Sequence, residues 1–193
     1  MYAFISGKLV EKNPAYVVIN VHGIGYLIHI SLNTFSAIGN LEEVKLYTHL
    51  AVREDAHLLY GFYSQREKEL FLQLITVSGV GANTARMILS SLSTEEAIEA
   101  IATGKSNILQ SVKGIGTKTA QRIVIDLRDK VGKSDGFTEK SSISYNTIKE
   151  EALSGLLVLG FNKVAAEKVL EKIVQLNPAI TVEKLIKDAL KVL

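Results

Sequence analysis

The chain has 193 residues, 47% of them hydrophobic and 22% charged, which is typical of small globular domains and excludes a disordered chain. Cysteine is absent, which excludes disulfides, thiolate catalysis and zinc–thiolate sites. The net charge of +2 is uneven, with −1 over residues 1–63, +3 over 64–134 and 0 over 135–193, and a local basic excess favours a phosphate-binding surface in the middle. Neither a signal sequence nor a bilayer-length apolar run occurs, which predicts a cytoplasmic protein without a membrane partner.

Residues 1–63 predict β-structure, because alternating or apolar runs are separated by turn signals such as Asn13–Pro14 and His22–Gly23. The predicted strands are Tyr2–Leu9, Tyr16–Val21, Gly25–Ile30, Val44–Val52 and His57–Phe62. No helix of any length is expected between them. Five short strands predict a small β-barrel, with an OB-fold as the favoured form and an SH3-like barrel as the alternative.

From Ser64 the hydrophobic period becomes helical, and a helical domain is predicted over residues 64–132. Within it, the segment Val77–Leu89 recurs 35 residues later as Val112–Val124, with two glycines, a threonine, an alanine and an isoleucine in register. A repeat of this kind indicates one supersecondary unit used twice.

The repeated pattern is Gly-x-Gly followed by Thr-Ala, with a helix on each side. Such a hinge turns sharply, keeps side chains away from a ligand, and aims the free N–H groups of the next helix at an anion. The residues expected to bind phosphate are Gly79, Gly81, Asn83 and Thr84 in the first copy, and Gly114, Gly116, Lys118, Thr119 and Arg122 in the second. The small Ala85 and Ala120 would let the paired helices pack closely.

This pattern resembles a tandem helix-hairpin-helix, which binds the DNA backbone without base readout. A Rossmann interpretation fails because the third glycine is missing and a helix precedes the motif. The P-loop signature is absent, so the chain is not expected to hydrolyse ATP.

The tail begins with a polar stretch, residues 133–146, that is predicted to be a flexible linker. Residues 147–193 predict three helices interrupted at Gly160 and Pro178, with Thr181 as an N-cap. So small a bundle is expected to serve as a docking domain.

The sequence resembles a known protein family over essentially its whole length. The segments that match most specifically are Thr48–Phe62, Gly23–Tyr26 and Gly114–Ala120. With a barrel, two hairpins and a helical tail in that order, the chain resembles the RuvA family. The resemblance implies an α+β multidomain fold with an N-terminal OB-fold barrel, a central tandem helix-hairpin-helix domain and a C-terminal three-helix bundle of the ubiquitin-associated type. It also implies non-catalytic, structure-specific binding of Holliday junctions for branch migration in recombination and DNA repair.

The same resemblance implies partners and further residues. A RuvB-type hexameric ATPase would dock on the tail, with Ile186 or Leu190 as candidate exposed contacts. A RuvC-type resolvase is a further partner, and the chain itself would form a homotetramer or an octamer. Glu54 and Asp55 would form an acidic pin at the junction centre, although the residues alone also fit an ordinary solvated turn. Ala82–Asn83 departs from the Pro-Lys of many relatives, and Lys105 or Arg86 are the candidates to compensate.

Two rival functions follow from other features. Asp126 and Asp129 come after the second hairpin, where a nuclease would need clustered carboxylates for Mg²⁺. A protein-interaction adaptor would instead use the tail to bind a ubiquitin-like partner. The four histidines are His22, His29, His49 and His57. They lack the spacing of a metal-binding motif, so no metal site is predicted. No cofactor and no catalytic residue are predicted either.

Overall fold

The computed structural model describes residues 2–131, 145–177 and 180–193. These residues belong to two compact units, one containing the described residues up to 131 and the other those from 145 onward. In neither described unit is there a helix with both the length and the apolar character needed to span a membrane. The predicted linker and Pro178 lie outside the described residues, except that residues 145 and 146 begin a helix.

The first unit starts with a closed five-stranded barrel. Its strands are β1 (Phe4–Asn13), β2 (Tyr16–Val21), β3 (Ile24–Ile30), β4 (Glu43–Val52) and β5 (His57–Phe62). They follow the order β1-β2-β3-β5-β4, and β4 closes the barrel by pairing with β1. All neighbours are antiparallel except β3 and β5. The predicted OB-fold barrel is confirmed.

One sequence prediction for this region is wrong: a helix, α1 (Leu32–Ile38), lies between β3 and β4. The Ser31 hydroxyl caps it by accepting a hydrogen bond from the backbone N–H of Thr34 at 3.0 Å. Ile38 is buried in the same cluster as inward side chains of the strands, so α1 packs against the barrel core. Seven residues are too few to show a clear helical period in the sequence.

Five helices follow β5 within the described part of this unit. They are α2 (Gln65–Leu74), α3 (Ala82–Ser91), α4 (Thr94–Ala102), α5 (Ser106–Gln110) and α6 (Thr117–Val131). Their core is continuous with the end of β5, because Tyr60 and Phe62 pack against Phe71 of α2 with ring centroids 5.3 and 4.8 Å apart. The barrel and the helices are therefore one packed body rather than two domains on a linker.

A buried carboxylate also joins the barrel to these helices. Glu67 of α2 is 3% exposed and accepts hydrogen bonds from the hydroxyls of Ser31 and Thr34, the latter at 2.7 Å. Burial raises the pKa of Glu67 above its ordinary value, and the two hydroxyl hydrogen bonds only partly oppose this. The Glu67 side chain thus links α2 to α1 through hydrogen bonds within an otherwise apolar interface.

The second unit contains α7 (Tyr145–Val158), α8 (Lys163–Leu176) and α9 (Val182–Ala189) around one small core. At the end of α7 the Phe161 N–H donates to the Leu156 carbonyl at 3.1 Å and the Gly160 N–H to the Leu157 carbonyl at 3.0 Å. These two bonds form a Schellman cap. The Thr181 side chain accepts from the Lys184 N–H at 3.4 Å, which confirms the predicted N-cap.

Candidate nucleic-acid interface

The first hairpin is formed by α2, a tight turn and α3. The Val80 N–H donates to the Val77 carbonyl at 3.0 Å, and both side chains are buried beneath the turn. Gly79 stands between them with a φ of 90°, a left-handed conformation that a residue with a Cβ adopts only at a cost. Gly81 then begins α3, and its carbonyl accepts from the N–H of Ala85 at 2.9 Å.

The second hairpin repeats this geometry between α5 and α6. The Ile115 N–H donates to the Val112 carbonyl at 3.1 Å, Gly114 has a φ of 90°, and the Ala120 N–H donates to the Gly116 carbonyl at 3.0 Å. Both alanines of the repeat, Ala85 and Ala120, are fully buried. The sequence repeat therefore corresponds to two copies of one backbone structure that share a single core.

The second glycine of each hairpin has no conformational or packing reason within the chain. Gly81 has a φ of −85°, which any residue can adopt. A Cβ added to Gly81 or Gly116 would meet nothing within 4 Å. These positions are exposed, so a glycine here keeps the helix start open to a molecule outside the chain.

The start of α3 lacks the polar cap that neighbouring helices have. Ser64 caps α2 through the Glu67 N–H at 3.1 Å, and Ser93 caps α4 in a reciprocal pair with Glu96. Gly81 supplies no side-chain oxygen to α3. The first N–H groups of α3 and the positive end of its dipole are thus available to an external anion.

The two hairpins differ in charge. Lys118 and Arg122 are exposed one helical turn apart on α6, beside the second turn. Lys113 is a third exposed cation, placed directly before Gly114, and it was not among the predicted phosphate-binding residues. Its position within the repeat, where the first copy has Ser78, was the available signal. Thr84 and Thr119 are half-buried at equivalent positions of the two helices.

The polar side chains proposed to bind phosphate near the first hairpin are either neutral or already paired with other groups of the chain. Asn83 is exposed in the first turn of α3, and its Oδ1 accepts a hydrogen bond from the Tyr60 hydroxyl at 3.3 Å. Arg86 turns toward the barrel, where its Nη1 donates to the Ala15 carbonyl at 2.9 Å. Lys105 forms an ion pair with Glu99 at 3.2 Å. Both cations suggested as compensation for Asn83 therefore have partners within the chain.

Glu54 and Asp55 occupy the tip of the hairpin between β4 and β5. The Arg53 N–H donates to the Ala56 carbonyl at 2.9 Å, so the two acidic residues are the central pair of a tight turn. Both are exposed, and the Asp55 carboxylate lies 3.7 Å from Nε of Arg53. The turn projects negative charge at the end of a two-stranded ribbon.

The remaining predictions concern the absence of a metal site and two apolar side chains of the tail. Within the described residues, no three His, Asp or Glu side chains lie together as a metal site would need. In the tail, Leu190 is 42% exposed, whereas Ile186 is half-buried against the core. The expectation that Ile186 is exposed is therefore wrong. The reason is Gly155 on α7, since its missing side chain leaves room for Ile186 to pack closely.

An OB-fold barrel joined to two glycine-hinged hairpins defines a protein of the tandem helix-hairpin-helix class. The family comparisons agree with this architecture. The RuvA N-terminal domain matches residues 1–61, a SAM-like helix-hairpin-helix tandem matches residues 71–129, and the RuvA C-terminal domain matches residues 147–193. The chain belongs to the RuvA family.

Individual relatives agree over the full length. The chain is 56% identical to the Holliday junction branch migration complex subunit RuvA of Christiangramia forsetii over 191 residues, covering 99% of each chain. It is 53% identical to the protein of the same name from Flavobacterium psychrophilum, again over 99% of each chain. The corresponding protein of Bacteroides thetaiotaomicron is 46% identical over 199 residues, with 99% of each chain covered.

Proposed function

We propose that the chain binds four-way Holliday junction DNA through its backbone and holds it open for branch migration in recombination and DNA repair. The observation that carries this proposal is the pair of matched hairpins, each with an exposed glycine at a helix start. Two relatives of similar length are named as Holliday junction branch migration complex subunits, which supports the junction and the migration parts of this proposal.

The hairpins suit phosphate rather than bases. Main-chain N–H groups and a helix dipole stabilise an anion but do not distinguish one base pair from another. Gly79, Gly81, Asn83 and Thr84 would contact one strand, and Gly114, Gly116, Lys118, Thr119 and Arg122 another. Lys113 joins the second set because of its position next to Gly114. Recognition would then depend on the shape of the DNA.

A junction has four arms, and a homotetramer would offer one pair of hairpins to each arm. An octamer would enclose the same junction from both sides. Glu54 and Asp55 would project at the crossover as an acidic pin, where their charge repels phosphates and guides the strands apart. The exposed turn between β4 and β5 supports this role, because charge at the end of a ribbon is well placed to project from the body of the protein.

Movement of the junction would come from a partner. A RuvB-type hexameric ATPase would dock on the tail, and a RuvC-type resolvase would act on the same junction. The tail offers exposed apolar side chains for such contacts, including Leu157, Val158, Leu159, Val164, Leu190 and Val192. The chain itself would contribute no catalytic residue.

The test is a binding comparison between a four-way junction and a linear duplex of the same sequence at low salt, with the solution mass of each complex measured. We expect strong preference for the junction and a mass of four or eight chains on it. Equal binding to both DNAs would refute the proposal. Incubation of the junction with Mg²⁺ is the control for the nuclease alternative, and intact strands are expected.

The role of the tail has its own test, the deletion of residues 133–193. Because the barrel and the hairpins have a core separate from that of the tail, junction binding is expected to persist. ATP-dependent migration with the partner is expected to be lost. Loss of junction binding would show that the hairpins alone are not the DNA-binding surface.

A further inference from the structure

Tyr60 connects the barrel to the first hairpin through one polar contact. It lies on β5, is 2% exposed, and its hydroxyl reaches Oδ1 of Asn83 at 3.3 Å. Asn83 is exposed, so the contact runs from the buried core to the surface that faces the proposed phosphate. Its two residues are 23 positions apart in the sequence, and neither motif alone predicts their pairing.

The direction of this hydrogen bond follows from the chemistry of a buried phenol. Burial raises the pKa of Tyr60, despite the opposing charges of Arg86 and Arg53, so the hydroxyl keeps its proton. A buried O–H left without an acceptor is costly, and the carboxamide oxygen of Asn83 provides one. Packing of the Tyr60 ring against the tilted ring of Phe71, with 5.3 Å between centroids, restricts the position of the hydroxyl.

The hydrogen bond from Tyr60 restrains the amide of Asn83 through its Oδ1. The Nδ2 group is then left with two N–H donors for a partner outside the chain. In the repeat, Asn83 occupies the position of Lys118. A lysine ammonium works as a point charge with rotatable donors, whereas a neutral amide binds well only when it is aimed.

We infer that Tyr60 is a positioning residue that aims Nδ2 of Asn83 at the phosphate held by the first hairpin. This inference rests on the proposed function, because it names how one hairpin of that surface is organised. Arg86 does not fill this role, since its Nη1 donates to the Ala15 carbonyl instead. Orientation by the barrel thus takes the place of a positive charge in the first hairpin.

The experiment measures equilibrium binding to a four-way junction for Tyr60→Phe, Asn83→Ala and the double variant. Tyr60→Phe keeps the ring and removes only the hydroxyl. Each single change is expected to weaken binding by about three- to tenfold, the size of one neutral hydrogen bond, and the double variant no more than Asn83→Ala alone. The salt dependence is expected to stay unchanged, because no charge is removed.

A second background makes the test specific. In Asn83→Lys the amide is replaced by an ammonium group, which binds phosphate without being oriented by Tyr60. Adding Tyr60→Phe to this variant is therefore expected to have no effect on junction binding. Tyr47→Phe, on β4 of the same barrel, is the matched control and is expected to bind as the unaltered chain does. Unfolding of every variant is followed in parallel.

Three results would overturn the inference while leaving the proposed function intact. The first is junction binding by Tyr60→Phe that equals that of the unaltered chain. The second is a loss of binding on adding Tyr60→Phe to Asn83→Ala or Asn83→Lys that is as large as in the unaltered chain. The third is a loss of binding that is accounted for by a smaller folded fraction. If the unaltered chain itself shows no preference for the junction, the proposed function fails, and the inference fails with it.

Discussion

Gly79 and Gly114 occupy equivalent positions in the two hairpins and share a φ of 90°. Each is followed two residues later by a glycine that the backbone does not require, since Gly81 has an ordinary φ of −85° and open space where a Cβ would stand. The hairpins thus contain one glycine for the fold and one for the exposed surface. Substitutions at the two positions should have different effects.

At Gly81 we expect stability and DNA binding to move in opposite directions. Gly81→Asp supplies the missing N-cap and a negative charge at the start of α3, which should raise the free energy of unfolding by roughly 0.5 kcal/mol. The same carboxylate occupies the N–H groups and repels phosphate, so junction binding should weaken. Chemical unfolding and junction titration measure the two effects, and Gly81→Asn separates the cap from the charge.

The contrasting change is Gly79→Ala, which should lower the free energy of unfolding by about 1–2 kcal/mol because of its positive φ. Stronger destabilisation by Gly81→Asp than by Gly79→Ala would contradict the assignment of the two glycines.

Lys118 and Arg122 should contribute to binding through charge alone. Lys118→Ala and Arg122→Ala are each expected to weaken all DNA arms similarly and to reduce the slope of log affinity against log salt by about 0.9 per lost phosphate contact. Titration at several salt concentrations measures this slope. Lys172→Ala, an exposed site on α8, should leave it unchanged. An unaltered slope for both α6 variants would exclude these side chains from the backbone interface.

The pin should oppose binding rather than support it. Neutralising it with Glu54→Gln and Asp55→Asn is expected to preserve or tighten junction binding, because the repulsion between carboxylates and phosphates at the crossover is removed. Under the proposed function, the rate of branch migration driven by a RuvB-type ATPase should change at the same time. Glu43→Gln, an exposed carboxylate elsewhere on β4, is the control. A marked loss of junction binding would instead indicate a structural role for the turn.

Glu67 should make stability depend on pH. Because burial raises its pKa in the folded chain, the unfolded chain loses this proton first as the pH rises. The stability that protonated Glu67 contributes is therefore complete below the ordinary carboxyl pKa and is lost as the pH rises through the folded value. Denaturant midpoints measured from about pH 4 to pH 7 should fall less for Glu67→Gln than for the unaltered chain. Glu69→Gln, on the same helix, should follow the unaltered chain.

Much of the site was predictable from the sequence because it is built from local patterns. The 35-residue repeat placed both hairpins, and the helical period that starts at Ser64 placed the helical domain that contains them. Contacts between distant segments had no such signal. The bond from Tyr60 to Asn83 and the hydroxyls that surround Glu67 depend on how the barrel meets the helices.

Two predictions failed for different reasons. The helix α1 has only seven residues, and its stability depends on the Ser31 cap and on burial of Ile38 rather than on a long periodic face. Ile186 shares the apolar spacing of Val182, Leu185 and Ala189, so the helical period alone places it on the inward face, where it packs over Gly155. Its selection as an exposed contact went against that period.

The shared core of Tyr60, Phe62 and Phe71 makes the distance between the acidic turn and the two hairpins a fixed dimension of the molecule. Because β5 and α2 are packed together, the connection between them cannot lengthen. Under the proposed function, each step of the duplex would therefore be taken up by sliding and rotation of the DNA over a rigid protein surface.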